Sequence, residues 1–356
     1  MVFTLRIDDP KTWDIGSELD SVIRSRPDLF DISVAGRHCD LVLRSTSTLL
    51  KSPGLSCDYY GAPVILFDSY DTTWLAPPII EEAAKPEVKA YVRSNTFRDP
   101  VSYYRQTWQG SYSGHVLKSA IGSLPPNPLP LRTDDYLEAT IKKIVLLAPV
   151  IPFMPPGVLD FVQEASLPIP SRSTDFLTNT LGVNKQQLSL LRCKGGSLAD
   201  CTTDALFHED GIGKYAGMEY LRYLAALCET KVFVSPWGRS AWSRADIEAL
   251  LCGCMIVKPE CSNTKTQPDI YSLHTGWLQY CSPDLSDLNI VAHYVLENYL
   301  EFAYAAEEGQ SFLIDYYTTQ ATQSSVAEKL FSLCKHILAG TESTFKDITT
   351  KIPLGQ

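Results

Sequence analysis

Short apolar runs alternate with polar or helical stretches through the first half of the chain, the pattern of strand and helix units in an α/β fold. Asp40–Arg44, Pro63–Phe67, Lys89–Val92 and Ile144–Leu147 predict strands, each short and some rich in β-branched residues. Ser123–Pro130 reads SLPPNPLP, and Pro149–Pro156 brings Pro149, Pro152, Pro155 and Pro156, so neither stretch continues as helix or central strand. They predict loops and a crossover between two domains, with the boundary anywhere from about residue 125 to about residue 170. A working division puts one α/β domain in residues 1–150, a second in 151–330, and a C-terminal helix and tail in 331–356.

The second half carries a sharper pattern. Gly217–Glu229 (GMEYLRYLAALCE) has apolar residues at helical spacing, Lys231–Ser235 (KVFVS) predicts a strand, Arg244–Cys252 (RADIEALLC) a helix, and Met255–Val257 the next strand. A helix followed by strand, loop, helix and strand describes a right-handed βαβ unit with one helix in front. Beyond Asp287, Leu288–Glu308 and Ser325–Ala339 predict two long amphipathic closing helices without evident chemistry.

Length and composition agree with two packed domains: 356 residues exceed one ordinary core, and 45% hydrophobic with 20% charged residues is a globular balance. The net charge of −10 argues against a broad nucleic-acid-binding face, which needs concentrated positive charge. Ten cysteines show no CxxC pair or zinc-ligand spacing and suggest buried thiols in a reducing compartment. The N-terminal MVFTLRIDDPKTW has no basic then apolar leader pattern, and Ile144–Met154 is too short and proline-broken to span a bilayer. The expectation is a cytoplasmic protein with no transmembrane segment.

In open α/β sheets ligands bind beyond the carboxyl ends of strands. The loop Pro236–Trp242 (PWGRSAW) follows such a strand, and its chemistry suits a diphosphate. Gly238 permits close backbone approach, Ser240 and Ser243 offer helix caps, and Arg244 supplies a bidentate cation. Glu248 lies one turn after Arg244 on the same helix face, where a carboxylate can accept hydrogen bonds from vicinal ribose hydroxyls. Taken alone, the pair is equally a surface salt bridge worth roughly 0.3–0.5 kcal/mol.

Val234–Tyr271 (VSPWGRSAWSRADIEALLCGCMIVKPECSNTKTQPDIY) and PDLSDL at Pro283–Leu288 resemble the donor-binding half of exostosin-like glycosyltransferases. The core of the likeness is Ser243-Arg244, Glu248-Ala249, Gly253-Cys254 and the strand ending at Lys258-Pro259. The resemblance implies a GT-B architecture, with two Rossmann-like domains facing a central cleft, an N-terminal acceptor-binding domain and a C-terminal domain for a nucleotide-sugar donor. It implies that Arg244 meets the donor diphosphate and Glu248 the ribose; the reading of the loop residues adds Ser235, Gly238, Arg239, Ser240 and Ser243 to the donor site. Lys258 would lie near phosphate or sugar or be a solvated lysine, and Lys214 would reach phosphate or base edge or merely flank a helix. Gly253 is read as the turn between helix and strand. Arg239 stands where the family often has an acidic residue, a departure that bears on the donor sugar or base, or instead adds positive charge beside the diphosphate.

On the acceptor side, DSYDTTW follows the strand Pro63–Phe67 and offers Asp68 and Asp71, one as general base and the other as its orienting partner, with Asp71 preferred. A helix cap or Asx turn is the bland reading of either residue. Arg93 and His115 are further acceptor-side candidates. His208-Glu209-Asp210 is a poor metal set, and the resemblance implies neither metal nor other cofactor. The implied activity is transfer of a UDP- or GDP-linked sugar to a glycan hydroxyl, inverting through a carboxylate base, with a noncatalytic glycan- or nucleotide-binding protein as the alternative. No GxGxxG follows an early strand, which disfavours a dinucleotide oxidoreductase.

Overall fold

A computed structural model describes residues 1–8, 22–33, 38–46, 61–68, 75, 77–104, 134–147, 157–166, 171–178, 218–235, 243–272, 275–320 and 322–340. The first unit runs through β1 (Phe3–Asp8), β2 (Phe30–Ile32), β3 (Leu41–Ser45), β4 (Val64–Phe67), α1 (Pro77–Ala84), β5 (Val88–Arg93), β6 (Asn95–Phe97), α2 (Val101–Tyr104), α3 (Asp135–Lys142) and β7 (Ile144–Leu146). Six of its strands form one parallel sheet in the order β2-β1-β3-β4-β5-β7. LVLRS and VILF are buried at every position, as strands covered on both faces by helices must be. The strand order reverses between β1 and β3, which makes their carboxyl ends the topological switch point of this sheet.

The second unit comprises α4 (Val158–Ala165), β8 (Thr174–Thr178), α5 (Met218–Cys228), β9 (Thr230–Val234), α6 (Arg244–Leu251), β10 (Met255–Pro259), β11 (Thr264–Thr266), β12 (Leu278–Cys281), α7 (Leu288–Glu297), α8 (Tyr299–Asp315) and α9 (Gln323–Leu338). Its parallel sheet has the order β12-β10-β9-β8. The predicted βαβ unit is β9-α6-β10. Helix α6 ends in a paired turn in which Gly253 N–H reaches Leu250 O and Cys254 N–H reaches Ala249 O, both at 2.9 Å. Gly253 supplies the φ of +77° that closes it, the turn role read from the sequence.

Two further features correct the sequence reading of the elements. Leu288–Glu308 is not one helix: Asn298, at φ −106°, separates α7 from α8, and its side chain donates to Tyr294 O at 2.8 Å, competing with the helical ladder. Helix α9 returns to the first sheet, where Val326, Leu330 and Leu333 join Phe3, Leu5, Leu41 and Ile65 in one core. Phe331 packs on Phe3 with ring centroids 4.8 Å apart.

The units are tied by an antiparallel ribbon of β6 and β11, which pairs Asn95 with Thr266 and Phe97 with Thr264. Arg98 reinforces it by donating to Ser262 O at 2.7 Å and pairing with Asp269 at 2.6 Å. Because β6 continues from β5 and β11 from β10, the ribbon joins the carboxyl edges of the two sheets. The result is the expected pair of Rossmann-like α/β domains, with the ribbon beside the carboxyl edges of both sheets.

Candidate functional site

At the carboxyl edge of the second sheet, Ser243 caps α6, its Oγ accepting from Ala245 N–H at 3.2 Å. One turn on, Arg244 Nε donates to Glu248 Oε1 at 2.8 Å. Tyr220, from the first turn of α5, donates its hydroxyl to the same oxygen at 3.0 Å, and the Arg244 guanidinium lies 5.7 Å from the Tyr220 ring centre. The pair is not a solvated surface bridge, since Glu248 is 0% exposed while the Arg244 side chain keeps 40%. Burial lifts the Glu248 carboxyl above its usual 4.5, although Arg244 and Tyr220 pull the other way. Burial opposes the charge of Arg244, but the carboxylate of Glu248 outweighs it and raises the guanidinium further. Glu248 Oε2 is buried with no hydrogen-bond partner among the described residues, a condition that costs about 1–3 kcal/mol until a donor reaches it.

The opposite face of α6 turns to the sheet. Asp246 receives the hydroxyl of Ser235 on Oδ1, and the ammonium of Lys258 and the Tyr271 hydroxyl on Oδ2, the last at 2.6 Å. Tyr271 also accepts the Ser243 N–H at 3.1 Å, so one buried cluster fixes the start of α6 to the ends of β9 and β10. Two expectations are corrected here. Lys258 is only 2% exposed and Ser235 is buried, and both are spent on Asp246, so neither is presented to a donor phosphate. Lys258 resists the loss of charge that burial favours because Asp246 stabilises it, and its ammonium stays protonated above the usual range.

Sequence reasoning did not find Asp246 or the part played by Tyr220. A signal for Asp246 existed. MIVKP is an apolar buried strand with one lysine, and a lysine inside a parallel sheet demands a buried carboxylate. Asp246, two residues from both Arg244 and Glu248, points from the opposite face of the same helix toward that strand.

Across the ribbon, Asp68 follows β4 and is buried. Its Oδ1 accepts from Thr46 at 3.1 Å and its Oδ2 from Tyr91 at 2.8 Å, and Arg93 Nε forms an ion pair with Oδ2 at 2.8 Å. Arg93 is 0% exposed, so it is an internal partner of Asp68 and does not grip an acceptor. Asp68 is thus buried and held in place by three side chains. Lys214, Gly238, Arg239, Ser240, Asp71 and His115 lie outside the described residues, as does His208–Asp210. Among the described residues no three His, Cys, Asp or Glu side chains gather as a metal site requires, and no helix is long and apolar enough to cross a membrane.

No protein-family model matches the chain. No curated protein matches it either. Among solved structures it is similar to a protein described as a UDP-N-acetylglucosamine 2-epimerase from Listeria monocytogenes, at 9% identity and a TM-score of 0.41 over 96% of this chain and 97% of that one. It is also similar to the glycotransferase of kitacinnamycin, at 10% identity and a TM-score of 0.36 over 90% of this chain and 80% of that one. Likeness at this level assigns neither a ligand nor a reaction.

Proposed function

We propose that this protein is a nucleotide-sugar-dependent glycosyltransferase of the exostosin-like kind, binding a UDP- or GDP-linked sugar at the start of α6 and transferring the sugar to a glycan hydroxyl. The observation that carries this reading is the buried Oε2 of Glu248, unpartnered among the described residues, beside the half-exposed cation of Arg244. A nucleoside diphosphate satisfies both at once. A ribose hydroxyl donates to the carboxylate, while the diphosphate takes the guanidinium and the dipole of the helix start.

In the proposed reaction the acceptor oxygen bonds to the anomeric carbon as the bond from that carbon to the diphosphate oxygen breaks. The bonding pair leaves with the nucleoside diphosphate, whose growing charge Arg244 offsets. A carboxylate takes the acceptor proton. Asp71 is the proposed base, and Asp68, held by Arg93, Tyr91 and Thr46, is its proposed orienting partner.

A thermal-shift screen against UDP-, GDP-, dTDP- and CMP-sugars tests the reading. UDP- or GDP-sugars raise the melting temperature, since ligand at a hundred times its Kd stabilises the native state by about 2.7 kcal/mol. No shift with any nucleotide sugar would overturn it. Asp71→Asn is expected to keep the shift while slowing transfer roughly 100-fold or more, the usual worth of a general base.

A further inference from the structure

Helices α7 and α8 bury Ala292, Val295, Tyr299, Ala303 and Ala306 against the second core. Their outer face carries Ile290, Tyr294, Glu297, Glu301, Tyr304 and Glu308, a series that advances in alternating steps of four and three residues. That spacing is the one that lays a stripe along helices to receive a second helix. Its apolar members stand in solvent, with Ile290 71%, Tyr294 55% and Tyr304 69% exposed, and Leu300 beside them 72% exposed. The Tyr294 and Phe302 rings meet at 6.0 Å, carrying the stripe across the break at Asn298.

The formal charge on the two helices themselves is of one sign. From Lys265 to Lys329 the chain contains no intervening lysine or arginine, while Glu297, Glu301, Glu307 and Glu308 are all exposed on these two helices. Large apolar side chains in solvent, interleaved with acids at heptad-like spacing, need a covering surface that is apolar and cationic in the same register. A second copy of the chain would set acid against acid. An anionic lipid surface would be repelled.

We infer that the outer face of α7 and α8 is a docking seam for an amphipathic helix of another protein, one bearing apolar residues and lysine or arginine in a four-three repeat. The inference is independent of the nucleotide-sugar reading, because the seam shares no residue with the donor site.

The probe is a labelled helical peptide of leucine and lysine in a four-three repeat, titrated with the full chain by fluorescence anisotropy. A matched peptide with glutamate for lysine is the control. The lysine peptide is expected to bind at least ten-fold tighter than the glutamate peptide, and more weakly as salt rises. Ile290→Ser with Tyr304→Ser, or Glu301→Lys alone, should each weaken binding ten-fold or more, while Glu81→Lys on distant α1 leaves it unchanged. Equal affinity for the two peptides would overturn the proposal, as would equal loss with Glu81→Lys. Self-association in sedimentation that Ile290→Ser abolishes, or binding to phosphatidylserine vesicles that the same variant abolishes, would also overturn it by naming a different occupant.

Discussion

Arg244 and Glu248 are one turn apart, a spacing that by itself describes thousands of ordinary surface bridges; what separates this pair from them is burial. The carboxylate has left water, its pKa has risen, and one of its oxygens has no donor among the described residues. The raised pKa sets a sign for the response to pH. The folded state holds the Glu248 proton more tightly than the unfolded chain, so folding is favoured most below the unfolded value of 4.5 and loses this contribution as pH rises through the higher folded value. Glu248→Gln, which cannot titrate, is therefore expected to flatten the fall in melting temperature above about pH 4.5, measured by calorimetry without ligand. An identical pH profile in variant and wild type would refute the placement. At the same scale, Asp246 and Lys258 form a buried pair whose members depend on each other. Asp246→Ala should cost about 3–5 kcal/mol in denaturant unfolding by stranding the ammonium, and Asp246→Leu with Lys258→Met should recover most of it. None of this was legible from residue spacing alone. The sequence locates Arg244 and Glu248, but burial comes from α5 and Tyr220, which reach the pair from the far side of a segment with no pattern linking them.

Elements with a strong local period were the readable part of the fold. GMEYLRYLAALCE, KVFVS and RADIEALLC fall where helix, strand and helix are found, because each buries one face or both against the same sheet. Strand β1 was not among the predicted strands although FTLRID alternates cleanly, since a short run beside the chain start has no turn signal in front of it. The ribbon strands were beyond reach. NTF and TKT are too short to show a period, and their partnership exists only because two sheets end side by side. The turn after α6 is a place where one residue decides an element boundary. Gly253 sits at φ +77°, and Gly253→Ala should destabilise the protein by about 1–2 kcal/mol while leaving the thiols and ion pairs beside it intact. A stability equal to wild type would mean that the helix ends in some other way.

The whole molecule is held as a pair by two devices that run against chain order. Helix α9 closes the core of the first sheet from the far end of the sequence, and the β6–β11 ribbon fixes the carboxyl edges of the sheets to each other. Leu330→Ala should accordingly cost about 2–5 kcal/mol and loosen the first domain, visible as faster amide exchange in β1 and β3, not in β9 and β10. This arrangement gives the proposed reaction its plan, with donor chemistry on α6 on one side and the loop after β4 on the other. The two sides differ in how far sequence could describe them. The proposed donor-side roles rest on a helix start that any diphosphate could use, whereas Asp68 and Arg93, both charged and both at strand ends, form an ion pair with each other. The most direct test of the donor site is calorimetric titration of UDP and GDP into the wild-type protein, Arg244→Ala and Glu248→Gln. Measurable binding of one nucleotide to the wild type, weakened roughly 10- to 100-fold in each variant with the fold intact, is the result expected from losing one charge-assisted hydrogen bond. Wild-type affinity retained in both variants would contradict the account.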